Sequence, residues 1–169
     1  MDQLDVLYNK ALRFLSFRPR SEKEVRDNLL KSRKSIKKVE IDQKVIDQVI
    51  TKLKEQHFVN DEEFTKWWIE QRTKFRPKGK RLIQIELKQK GIAQETIERI
   101  VESSELKVEN ELERAKVLVQ KKLRKYKNLP RFEQYQKLGA MLGRFGFDYD
   151  IIKQSIDEVL RGEYNTSKD

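Results

Sequence analysis

The residues best placed to do chemistry in this sequence are its cations. Residues 72–90 hold Arg72, Lys74, Arg76, Lys78, Lys80, Arg81, Lys88 and Lys90 against one acid, Glu86. Residues 114–131 hold Arg114, Lys116, Lys121, Lys122, Arg124, Lys125, Lys127 and Arg131 with no acid at all. The 169 residues carry a net +10, so the rest of the chain is net negative and the charge is segregated. Segregated positive charge attracts phosphate or a carboxylate-rich surface more strongly than the same charge spread evenly. The competing reading is a pair of solvated helix faces. Arg18, Arg20 and Arg76 flank prolines, where a guanidinium can grip carboxylate or phosphate with two bonds or can brace nearby carbonyls. Lys78 and Lys80 read as binding residues, with Gly79 between them leaving the backbone accessible.

Nothing in the inventory points to catalysis. There is no cysteine, and His57 is the one histidine. A thiolate metal site is excluded, and a general base needs a positioned nucleophile or substrate, for which no pattern is visible. No glycine-rich phosphate loop occurs. Asp61, Glu62 and Glu63 read as helix-start charges, where the positive end of the peptide dipole favours acids. The expectation is a binding protein, with no enzyme activity, cofactor or metal.

The elements that must position these cations are helical. Ile46, Val49, Ile50 and Leu53 fall on one helix face, as do Ile152, Ile156, Val159 and Leu160. Ser21 with Glu24 forms a capping box, and Asn60 or Asp61 caps another helix. Pro19, Pro77 and Pro130 fall between helices, while Gly91 and Gly146 sit where a left-handed residue ends one. These marks repeat. Phe17-Arg18-Pro19-Arg20 returns as Phe75-Arg76-Pro77-Lys78, with Leu29 and Leu87 at the same offset. Leu87, Gly91, Ile92 and Ile97 return as Leu142, Gly146, Phe147 and Ile152. Ile41, Ile46, Val49 and Ile50 match Ile92, Ile97, Ile100 and Val101, with the basic stretch Lys31–Lys38 as an insertion.

The fold class expected is all-α, with three tandem three-helix repeats at 4–56, 60–104 and 109–162 stacked into an elongated, curved chain. Only 37% of residues are apolar and 39% are charged, which suits a thin core built by stacking small units. Phe14, Phe17, Phe64, Phe75, Leu87, Phe145 and Phe147 are expected in that core. Trp67 and Trp68 are adjacent, so one is core and the other half-buried at a repeat junction or an interface anchor. No apolar run reaches membrane-spanning length and the acidic N-terminus is unlike a signal peptide, so a cytoplasmic monomer is expected.

Three segments together resemble the RecX family. Ala11–Leu29 reads as a helix, an arginine-rich turn, then Ser-x-x-Glu-Val-Arg; Phe58-Val59-Asn60-Asp61-Glu62-Glu63-Phe64 resembles the family's aromatic-Leu-Asp-Asp-x-x-Phe junction; Gly79–Ile92 resembles its Gly-x-x-Arg-Leu-x-x-Glu-Leu-x-x-Lys-Gly-Ile signature. The likeness covers residues 11–160. Asn60 departs from the usual Asp, Trp67-Trp68 is bulkier than the family's small residue, and Arg131–Gly146 is aligned mainly by offset. Longer members carry an N-terminal extension, and a chain starting almost at the first repeat is expected to be a truncated form. The resemblance implies binding to the RecA recombinase, as monomer and as filament on DNA, with inhibition of its ATPase and strand exchange in DNA recombination and repair. It also implies direct contact with single- or double-stranded DNA in some members. The candidate contacts are Arg18, Arg20, Arg72, Lys74, Arg76, Lys78, Lys80, Arg81, Lys88, Lys121, Lys122, Arg124 and Lys125. The alternative is a helical module acting on DNA directly, although no helix shows Arg, Asn and Gln at base-reading spacing.

Overall fold

A computed structural model describes residues 2–31, 42–103 and 108–166. Ser32–Ile41, the bulk of the basic insertion, lies outside the described residues. All regular structure among them is helical: α1 (Gln3–Leu15), α2 (Glu22–Lys31), α3 (Gln43–Glu55), α4 (Asp61–Glu70), α5 (Lys80–Gln89), α6 (Gln94–Ser103), α7 (Val108–Tyr126), α8 (Arg131–Arg144) and α9 (Tyr149–Thr166). This is the tandem three-helix repeat fold that the sequence predicts. A π-helical turn, Gln71–Phe75, continues α4.

Local chemistry accounts for the helix ends. The Glu24 N–H donates to Ser21 Oγ (3.2 Å) while the Ser21 N–H reaches Glu24 Oε2 (3.4 Å), the reciprocal capping box. Asn60 Oδ1 accepts the N–H groups of Glu62 (2.9 Å) and Glu63 (3.2 Å) at the start of α4. Gly91 (φ 81°) and Gly146 (φ 83°) end α5 and α8 in the left-handed region, each donating to the carbonyl three residues back. His57 does the same at φ 59° after α3, with its N–H on Lys54 O and that of Phe58 on Leu53 O. This Schellman closure normally takes glycine.

The chain forms two compact units, Met1–Trp68 with Leu87–Ile97, and Ile69–Glu86 with Glu98–Asp169. In the first, α1, α2 and α3 pack on one another around Leu7, Val25, Leu29, Ile46, Val49 and Leu53. In the second, α7, α8 and α9 pack around Val119, Leu123, Leu138, Leu142, Phe147 and Ile156.

Each unit contains the same joint. In the first, Ser21 Oγ donates to Lys90 O (2.7 Å) and the Glu22 N–H to Asp61 Oδ1 (2.8 Å). In the second, the Gly79 N–H donates to Phe145 O (2.8 Å) and the Lys80 N–H to Glu111 Oε1 (2.7 Å). The start of one repeat's second helix thus rests on the glycine turn of the next repeat. An acid from the first helix of that next repeat takes one of the four N–H groups the helix start leaves open. Gly79 is buried, and a Cβ there would lie 2.2 Å from Gly146 O. Its glycine identity therefore serves packing, not the backbone access expected from its place between two lysines.

Two expected core residues are outside. Phe17 is 78% and Phe75 is 70% exposed. Phe17 follows Ser16, the C-cap of α1, and so lies past the last turn that could bury it. A step of seven from Trp68 would bury Phe75 in an α-helix, but the π-turn adds a residue and puts Thr73 on the inner face instead. Phe64, Leu87 and Phe147 are buried as expected, and Phe14 and Phe145 are half-buried.

Leu87 is fully buried, so Leu87→Ala is expected to cost about 2–5 kcal/mol in chemical denaturation. Gly146→Ala combines a positive φ with a Cβ placed 2.2 Å from Leu82 Cβ, and is expected to cost at least as much. Losses below about 1 kcal/mol would remove these residues from the packing described.

Candidate anion-binding interface

The candidate cations fall into three settings. The first is internal. Arg18 forms a two-point pair with Glu24, Nη2 to Oε1 at 2.8 Å and Nη1 to Oε2 at 3.2 Å, and also donates to Pro19 O at 2.7 Å. Lys90 Nζ reaches the same carboxylate at 2.6 Å. Both cations lie over the tryptophans: Arg18 is 5.7 Å from the Trp67 ring and 6.0 Å from Trp68, and Lys90 is 5.0 Å from Trp68. Trp68 is buried and Trp67 half-buried, with Phe64 stacked on Trp68 at 5.7 Å. Burial by itself would raise the Glu24 carboxyl, but the hydrogen bonds and charges of Arg18 and Lys90 outweigh it and hold the pKa at about 2.

The second setting, α4 to α5, is mixed. Arg72 Nε pairs with Glu86 Oε2 at 2.6 Å, both side chains mostly buried, and Lys74 pairs with Glu70 at 3.0 Å along the helix. Lys78 is half-buried with Nζ 4.6 Å from the Phe145 ring. Lys80 is half-buried where its N–H meets Glu111. Burial raises the pKa of Glu111, as it does for Asp61 in the matching joint. Arg81 is exposed and loosely opposite Asp148 at 4.0 Å. Arg76 and Lys88 are exposed.

The third setting is the C-terminal half of α7 and the turn into α8. Lys121, Lys122, Arg124, Lys125, Lys127 and Arg131 are all exposed, and none has an acidic partner among the described residues. At the other end of the same basic stretch, Lys116 is held by Glu113 (2.7 Å) and Glu158 (2.5 Å), whose hydrogen bonds raise its pKa. Lys116, Gln120, Arg124 and Lys127 recur at helical spacing along a groove of about 570 Å³ whose other wall is Glu158, Val159 and Gly162 of α9. The carbonyl end of α7 favours cations, so Arg124 and Lys125 in its last turn are stabilised where they stand. The run from Lys121 to Arg131 brings no acid of its own, and its exposed cations can face several phosphates or carboxylates at once. Lys127 and Arg131 belong to it although they were not among the candidate contacts; their signal was the same acid-free run.

Arg20 is distinct from all three, lying 4.0 Å over the Phe14 ring with no ion pair among the described residues, although the charge of Glu24 acts on it. His57 is exposed at the end of α3. Among the described residues no group of three or more His, Asp or Glu could hold a metal ion, and no helix is long and apolar enough to cross a membrane.

Three family models match the chain: RecX first three-helix domain over residues 8–53, second over 60–99 and third over 109–156. The regulatory protein RecX of Bacillus subtilis (strain 168) is 34% identical over 168 residues, 99% of this chain and 59% of that protein. The regulatory protein RecX of Clostridioides difficile (strain 630) is 34% identical over 152 residues, 90% of this chain and 67% of that protein. The chain thus spans about six-tenths of the length of its Bacillus relatives. The crystal structure of RecX from Lactobacillus salivarius superposes with a TM-score of 0.76 at 27% identity, covering 92% of this chain and 96% of that one.

The Glu24 cluster makes a pH-dependent contribution of known sign. Its carboxyl lies below the ordinary value, so the stabilisation is complete above about pH 5 and disappears as pH falls toward about 2. Glu24→Gln is expected to cost up to about 3 kcal/mol near neutral pH, with the gap to the unsubstituted protein closing on acidification. Denaturant titrations of both proteins at about pH 7 and pH 3 check this; an equal gap at both would mean that the charge of Glu24 contributes nothing.

Proposed function

The chain belongs to the RecX family, and on that premise we propose that it is a regulatory protein that binds RecA and RecA–DNA filaments and inhibits recombinase ATPase and strand exchange. With that reading go the repeat limits 4–56, 60–104 and 109–162 and a contact surface drawn from the candidate cations. The observation that supports it best is the unpartnered cluster on α7, with Lys121, Lys122, Arg124 and Lys125 at its centre. A nucleoprotein filament presents phosphate and protein carboxylates together, and cations not committed to internal pairs can meet either without first breaking a bond. Arg76, Arg81 and Lys88 are exposed and extend the set. Arg18, Arg72, Lys74 and Lys78 already hold partners inside the protein, so recruiting them would cost those contacts.

The experiment titrates the protein against RecA alone, RecA-coated single-stranded DNA and bare DNA, reading co-sedimentation and ATPase. Inhibition with filament binding is expected; normal ATPase at excess protein overturns the proposal, and tight binding to bare DNA without any ATPase effect replaces it with a DNA-binding module. Replacing Lys121, Lys122, Arg124 and Lys125 with Gln is expected to weaken filament binding by about tenfold or more with helicity unchanged. The Lys78→Gln, Lys80→Gln, Arg81→Gln variant is expected to lose less. Where phosphates carry the contact, the log–log salt slope falls by about 0.7–0.9 for each phosphate contact removed.

A further inference from the structure

The first unit carries a second recessed surface, of different character from the α7 cluster. A groove of about 650 Å³ opens beside the Arg18-Pro19 turn, with apolar walls from Leu12, Leu15, Phe17, Phe58 and Phe64. Clefts of this size enclose small ligands or a few side chains. Phe17 and Phe58 stand 78% and 52% exposed on its edge, an unusual cost for two aromatic rings on a rigid turn and a Schellman closure.

The polar groups around it are mostly engaged. Ser16 Oγ donates to Arg13 O, Asn60 caps α4, and Arg18 is held by Glu24. Arg20 is the exception: its Nε is shielded from water with no acceptor, and its guanidinium rests on Phe14 with no carboxylate bonded to it among the described residues, Glu24 acting on it only through its charge. Burial and the neighbouring charge of Arg18 lower its pKa by more than the charge of Glu24 raises it, so an anion bonded directly to Arg20 would offset the remainder.

We propose that this groove docks a polypeptide segment presenting an apolar side chain next to a carboxylate, the side chain seated among Leu12, Leu15 and Phe58 and the carboxylate on Arg20. A nucleic-acid strand fits less well. It would need a track of free cations, whereas the groove offers one, and Glu63 on its wall repels phosphate. The assignment does not depend on RecA being the partner.

The test uses the full chain and fluorescein-labelled peptides Gly-Asp-Xaa-Asp-Gly with Phe, Leu, Ile or Trp at the centre. Anisotropy gives affinity, and amide shifts in NMR spectra locate the site. At least one peptide is expected to bind with shifts at Leu12, Leu15 and Phe58. Placing Ser at the centre, or Asn for both Asp, is expected to weaken it by about tenfold, and Arg20→Gln by a similar factor. Phe17→Ser, at an exposed position, is the second variant if Arg20→Gln does not fold, and is also expected to weaken binding. The proposal is overturned if no peptide shifts the groove amides, if the Ser and Asn controls bind equally, if the folded variants bind unchanged, or if a short oligothymidylate displaces the peptide from the groove.

Discussion

The arrangement of helices depends on one contact made twice: a carboxylate of one repeat accepting a backbone N–H at the start of the preceding repeat's second helix. Asp61 does this for Glu22 and Glu111 for Lys80. Burying a carboxylate is costly, and its cost is visible in the raised pKa of both acids. The helix N-terminus offsets part of that cost with an open N–H and the positive end of its dipole. Beside each carboxylate the helix start meets a glycine turn, at Lys90-Gly91 and at Phe145-Gly146. A side chain on Gly79 would collide with the turn, so the register of the second joint is fixed by backbone geometry as well as by apolar fit, while in the first the Ser21 hydroxyl bonds the turn at the equivalent position.

That constraint divides the positive charge into two populations. Near the joints, Arg18, Lys90 and Arg72 face Glu24 and Glu86 at low exposure, where their charge supports the structure. On α7, far along the helix from the joint acid Glu111, the cations have no such duty. Net charge alone would weigh these populations equally. Their availability to an outside anion differs, because a cation in a partly buried pair must first give up its partner.

The fold was legible because its markers act locally. A Ser21–Glu24 capping box and a glycine three residues past a carbonyl need only neighbouring residues, and repetition of the Phe-Arg-Pro turn revealed the period. The interface was less legible because pairing is long-range. Glu24 and Lys90 are 66 residues apart, so the scarcity of acids within residues 72–90 overstated how much free charge that stretch carries. Phe17 and Phe75 were misplaced for a related reason: an aromatic type, even a repeated one, does not report the helix turn it stands on. His57 gave no sign of its left-handed backbone, since that position ordinarily calls for glycine.

The π-turn at Gln71–Phe75 has a consequence for the tolerance of this chain to change in length. A helix that already accommodates one surplus residue can lose it and return to ordinary α geometry. The residues after it would then keep their facing relative to those before it, because the π-turn takes up its extra residue without advancing the helix face. Arg76 and its neighbours would keep their place in the helix register with one residue fewer before them. A single-codon deletion there that spares the buried Thr73 would shorten the chain while leaving the faces on either side in register, a route by which related chains can differ in length without remaking their contacts.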